Sequence, residues 1–200
     1  LIQALFLLNI ITERTDFSIS SDNTSFLISL LEDNSFCSDY KQLILTIITN
    51  NIDREISEEA SHVIYATAQS LLQNGNLSIK SLSLRLIQKI YQKYQFYIPN
   101  DELELYYSYA NSKYPDLSID GLNFFISYAK NENNMDQIIE YNLIEKLLQI
   151  SLYQNHKVYQ YVLLFLEIIS DQNEIGSKMV FDNVNIQNFF SSSFSIQKSI

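Results

Sequence analysis

Three basic residues, Arg85, Lys89 and Lys93, stand at i, i+4 and i+8 and form one stripe if the segment is helical. In a chain of formal net charge −10 they are the clearest cationic cluster. Their chemistry is pairing with carboxylate or phosphate groups, so the stripe is a candidate site for an acidic peptide. The plainer reading is a solvated helix face, with cations favourably placed toward a helix C-terminus. Acid–base, nucleophilic and metal chemistry have less to work with. The two histidines, His62 and His156, are far apart, and no HExxH or CxxC pattern accompanies them. Cys37, the single cysteine, has no local base and reads as a packing residue. Glu58-Glu59 and Asp101-Glu102-Glu104 read as first-turn helix charges, since adjacent residues point to different faces. Gly75, Gly121 and Gly176 stand alone, so no phosphate loop is formed. No catalytic, cofactor-binding or metal-ligating residue is assigned; no cofactor and no enzymatic activity are expected.

A second cluster is aromatic: Tyr91, Tyr94 and Tyr97, then Tyr106, Tyr107 and Tyr109. Beside basic residues such rings could stack single-stranded bases. A sheath of carboxylates opposes nucleic acid and anionic membrane alike, so packing between helices is the expected role. The sequons at Asn23 and Asn76 are expected by chance in a chain this rich in Asn and Ser. A single cysteine allows no intrachain disulfide and fits a reducing compartment, so a cytoplasmic location is expected, compatible with nuclear shuttling. The apolar start, residues 1–12, is too short to span a bilayer, and no membrane insertion or small-molecule substrate is expected.

The elements that must position these residues follow from periodicity. With 46% hydrophobic residues, 3 glycines and 2 prolines, the 200-residue chain has material for a core and lacks the turn residues of a sheet-rich fold. An i, i+3, i+4 apolar triplet recurs as Leu27-Leu30-Leu31, Ala68-Leu71-Leu72, Leu103-Tyr106-Tyr107, Ile144-Leu147-Leu148 and Ile186-Phe189-Phe190. After each of the first four comes a longer apolar helix, anchored at Tyr40, Ile79, Ile119 and Val158. Three, five and seven residues past each anchor the chain is again apolar; Leu45, Leu84, Phe124 and Leu163 form one such row. Residues 1–12 fit as the same long helix of an earlier unit, with Ile2, Leu5 and Leu7 in the core positions. Both patterns repeat at about 40 residues, the spacing of stacked helical repeats that share one continuous core. Breaks fall at Asn74-Gly75-Asn76, residues 111–115, 131–134 and 170–173, and Asp22, Ser57 and Asn100-Asp101 are candidate caps.

The fourth unit, with its short helix ending near Asn142, its leucine-rich Leu143 to Leu148, the loop at Asn155 and the long helix from Val158, resembles an armadillo repeat. Asn142 and Asn183 stand near the turn that armadillo units usually build with Gly, and Asn tolerates the left-handed conformation required there. The resemblance implies an all-α, right-handed armadillo/HEAT-like α-solenoid. It also implies a concave groove, lined by the long helices, that takes an extended peptide. Importin-alpha-like members carry Trp in that groove with Asn four residues on. Here those positions hold Thr46, Arg85, Phe125 and Leu164, and Asn50, Lys89, Ala129 and Ile168. The chain has no Trp, so a Trp–Asn ladder is absent.

The expected architecture is one solenoid segment over 1–200, with units at 13–51, 52–91, 92–131 and 132–171 and partial units at 1–12 and 172–200. The end helices, 1–12 and 188–200, are expected to be covered by further repeats of a longer protein. The expected function is a protein-interaction scaffold or adaptor binding a peptide or helix, with Arg85, Lys89, Lys93, Phe125 and Leu164 as contact residues. A HEAT-type nuclear transport receptor or vesicle-coat segment, or a regulatory helical domain of a larger enzyme, are the alternatives.

Overall fold

The computed structural model describes residues 2–14, 18–33, 35–54, 56–153, 156–172 and 174–183. All regular structure among them is helical, and the chain divides into two compact units, Leu1–Tyr97 and Ile98–Ile200. The first holds α1 (Ile2–Arg14), α2 (Ser21–Glu32), α3 (Ser38–Asn51), α4 (Glu58–Asn74) and α5 (Leu77–Tyr94). The second holds α6 (Asn100–Ala110), α7 (Pro115–Ala129), a 3-10 turn (Glu132–Asn134), α8 (Met135–Glu140), α9 (Leu143–Tyr153), α10 (His156–Gln172) and α11 (Glu174–Asn183). The first four expected triplets lie on α2, α4, α6 and α9, and the expected long helices are α3, α5, α7 and α10. The triplet Ile186-Phe189-Phe190, the loop residue Asn155 and the end segment 188–200 lie outside the described residues.

Burial reveals a tighter period than the sequence pattern. Four rows of side chains, no more than 5% exposed, run through the second helices. They are Ile44, Ser83, Leu122 and Val162; Ile47, Leu86, Phe125 and Phe165; Ile48, Ile87, Ile126 and Leu166; and Asn51, Ile90, Ala129 and Ile169. The spacing is 39, 39 and 40 residues, and a further 39 back lie Leu5, Leu8, Asn9 and Thr12 of α1. Leu5 and Thr12 are buried, Leu8 and Asn9 half-buried. The i, i+3, i+4, i+7 spacing of each set places its members on one helical face. Burying each Leu or Ile there contributes on the order of 1.5–3 kcal/mol.

This register corrects three sequence expectations. On α7 the anchor is Ser118, which is buried, and Ile119 is half-buried. Leu163 on α10 is 38% exposed and Leu7 on α1 is 60% exposed, although both fit the apolar rows read from sequence. One residue is 100° of helical rotation, so an apolar run satisfies neighbouring registers equally well until packing partners choose.

The helix ends follow local chemistry. Ser20 Oγ accepts from the Asn23 amide, Ser57 Oγ from Ala60 and Asn76 Oδ1 from Ile79, satisfying donors that a helix start leaves open. Asp22 thus sits in the first turn of α2, and Ser20 is the cap. Among the described residues, two non-glycine residues adopt the left-handed conformation: Gln95 (φ 49°), which ends α5, and Asn142 (φ 56°), as expected from its place before α9. Gly121 lets α7 approach α6 closely, since a Cβ there would lie 2.5 Å from the Ala110 nitrogen. Ser118, one turn before it, donates to the Ala110 carbonyl.

Candidate binding surface on the second helices

Between the buried rows, the second helices of the first unit leave one stripe partly uncovered, with its α1 positions and Arg85 exposed and Thr46, Asn50 and Lys89 half-buried. Position by position it reads Leu7 and Ile11 on α1, Thr46 and Asn50 on α3, and Arg85 and Lys89 on α5. The 39-residue register that aligns the buried rows aligns these positions as well. A groove of about 420 Å³ opens on this face, lined by Phe6 of α1, Asp39, Tyr40, Gln42, Leu43 and Thr46 of α3, and Leu82 of α5. Leu43 and Leu82 read as core from sequence. They are half-buried and form part of the groove lining, while Phe6 is 60% exposed at its edge. The missed signal was helical phase, because Leu43 and Leu82 fall one residue before the innermost row.

The basic stripe is divided by function. Lys93 Nζ donates to the carbonyl oxygens of Ile52 at 2.7 Å and of Arg54 and Ile56 at 3.4 Å. Tyr94 Oη donates to the Ile56 carbonyl at 2.5 Å. Together they clasp the connection from α3 to α4, whose carbonyls have no helical partners. Lys93 is thus engaged by its own chain while remaining exposed. Lys89 Nζ pairs with Asp53 Oδ2 at 3.2 Å in a solvent-facing pair. Arg85 is exposed. Phe125 and Leu164 belong to the second unit. Phe125 is wholly buried in the second row, so it presents no surface to a partner, a further correction. The residue of α7 in register with Arg85 is Phe124, also wholly buried. Leu164 is 41% exposed.

A cluster on the second unit escaped the sequence reading. Tyr141 Oη and Lys146 Nζ both donate to Glu104 Oε2, the lysine at 2.9 Å. Lys146 Nζ also sits 3.6 Å from the Tyr141 ring centroid and 5.2 Å from that of Tyr107, as cations do over aromatic faces. The Tyr141 hydroxyl and then the lysine hold the Glu104 carboxyl below its usual range. Burial, and after it Glu104, pushes the Tyr141 phenol well above its own. The cluster ties α6 to the turn before α9 and to α9 itself. The partners lie 37 and 42 residues apart, close to one repeat, so sequence adjacency could not reveal them. Elsewhere Tyr91 and Tyr106 are buried and Tyr97 is exposed. The His62 ring lies 6.4 Å from Phe96, and Cys37 precedes α3 as an exposed thiol. Among the described residues no helix is long and apolar enough to cross a membrane.

No protein-family model and no curated protein matches the chain. Solved structures do. A designed armadillo repeat protein, YIII(Dq.V1)4CPAF in complex with the peptide (KR)4, matches with a TM-score of 0.63 at 12% identity, over 90% of this chain and 80% of that one. A second, YIII(Dq)4CqI, gives 0.62 at 12% identity over 90% and 80%. The fold is an armadillo-like α-solenoid. A further engineered protein matches with 0.62 at 18% identity over 90% and 79%.

Proposed function

We propose that this chain is a protein-interaction scaffold that takes an extended peptide segment of a partner across α1, α3 and α5. The observation that carries the reading is the groove lined by Phe6, Leu43, Thr46 and Leu82 on the second-helix face. Its lining mixes apolar side chains with a few polar groups that can orient a backbone, the usual make-up of a site for an apolar side chain. A repeat stack presents such positions at regular intervals, and an extended chain has the matching linear form. The fold neighbour solved with (KR)4 bound is consistent with this use of the architecture. Scaffolding needs no reacting group, in keeping with Lys93, Tyr141 and Glu104 serving internal ties.

The test is selection of peptides from a random display library on the intact chain, beside a Thr46→Arg variant with unchanged circular dichroism. The reading expects a recurring peptide pattern on the intact chain that is lost on the variant, because the guanidinium would fill the groove. Enrichment of the same peptides by both chains, or no enrichment at all, would overturn it.

A further inference from the structure

The uncovered stripe changes character along its length, and that gradient defines the peptide it fits. At α1 it is apolar: Leu7 is 60% and Ile11 40% exposed, with Phe6 beside them. At α3 the same positions hold Thr46 and Asn50, polar and neutral. At α5 the positions hold Arg85 and Lys89. Two carboxylates also face this side: Asp53, engaged by Lys89, and Asp39 in the groove wall near the start of α3. The Lys89–Asp53 pair is exposed, and such pairs contribute only about 0–1 kcal/mol, so Lys89 can exchange its partner for a ligand carboxylate at little cost.

Resting on the peptide-scaffold reading above, we propose that the groove recognises a peptide with a bulky apolar residue at one end and an acidic residue about six positions away. The spacing follows from geometry. Packed helices lie about 8–10 Å apart, so two steps from α1 to α5 cover roughly 16–20 Å. An extended chain advances about 3.3 Å per residue and covers that span in roughly five to six residues. The apolar end sits on Leu7, Ile11 and Phe6, and an intermediate side chain enters between Leu43 and Leu82. The acidic end reaches Arg85, whose planar fork suits a carboxylate better than an ammonium does. A basic residue at that end meets two cations and is rejected.

The experiment is an amide-shift titration of the ¹⁵N-labelled chain with synthetic peptides. Each carries a Phe-Leu pair and an Asp-Glu pair on a Gly-Ser background, separated by three, six or nine positions and made in both directions. The expected result is binding at least about tenfold tighter at a separation of six, in one direction. Shifts should be confined to α1, α3 and α5, and Lys in place of the acidic pair should weaken binding about tenfold. An Arg85→Glu variant, checked for unchanged helicity, should reverse the preference between the acidic and Lys peptides. Binding on these helices without dependence on separation or charge would overturn this motif and leave the scaffold reading standing. Failure of these peptides while display-selected ones bind has the same meaning. Failure of every peptide overturns both.

Discussion

Asn142 carries the backbone through φ 56° between α8 and α9, where a Cβ is normally penalised by about 1–2 kcal/mol. Asn is tolerated because its short amide bonds locally; here Nδ2 donates to Glu145 Oε2 at 2.6 Å. Asn142→Gly should therefore leave stability within about 0.5 kcal/mol, since glycine enters this region freely and loses only the local bond. Asn142→Val should cost about 2 kcal/mol, because a β-branched side chain fits the left-handed region worst. Urea unfolding of the two variants checks this, and equal losses would show that the turn imposes no conformational demand. Asn142 was legible in the sequence because its chemistry is local. The fate of Lys93 was not: three carbonyls some 40 residues earlier decide it, and nothing adjacent in the chain signals them.

At the scale of elements, polar ties join neighbouring repeats within each compact unit. Gln137 Nε2 donates to the Ile98 carbonyl and to Asn100 Oδ1, both at 2.8 Å, while Lys93 and Tyr94 clasp the connection after α3. Removing the lysine takes a charged donor from the carbonyls of that connection, Ile56 keeping the Tyr94 hydroxyl, and a lost charged hydrogen bond costs stability. Lys93→Met should therefore cost about 1–2 kcal/mol in chemical unfolding, and Lys89→Met less than about 0.5 kcal/mol, its pair being solvent-exposed. Comparable losses from both would sink the distinction between a clasp and a surface charge. The Glu104–Tyr141 tie carries a pH dependence of its own. A carboxyl held below its ordinary 4.5 stabilises the fold above that value, and the contribution is lost as pH falls through the lowered one. A phenol held above its ordinary 10.0 stabilises the fold below that value and is lost as pH rises beyond it. The stability gap between the native chain and Glu104→Gln should accordingly be widest between about pH 5 and pH 10 and close on either side. A gap independent of pH would mean that the carboxylate has no part in the tie.

For the whole molecule, stability in a repeat stack is set by neighbours, and helices covered on more sides open less often. The row residues of α3, α5 and α7 are buried throughout, while Leu8 and Asn9 of α1 are only half-buried, and α11 leaves Ile175 and Phe181 62% and 70% exposed. Hydrogen exchange should be slowest in residues 44–51, 83–90 and 122–129 and fastest in α1 and α11. Uniform protection from α1 to α11 would contradict opening by repeat. The period near 40 residues and the alternation of short and long helices could be read from the chain alone. They rest on side-chain type and local spacing, which hydrophobic periodicity reports directly. What only tertiary structure decided was phase. In α7, where Leu117 to Ala129 offers apolar or small residues on nearly every side, a one-residue shift satisfies the pattern but turns the helix by 100°. That rotation places Phe125 in the core and Ile119 at its margin. On α3 and α5 the same question of phase brings Leu43 and Leu82 to the groove and leaves Arg85 exposed, because the buried side of a helix is chosen by the neighbours it packs against.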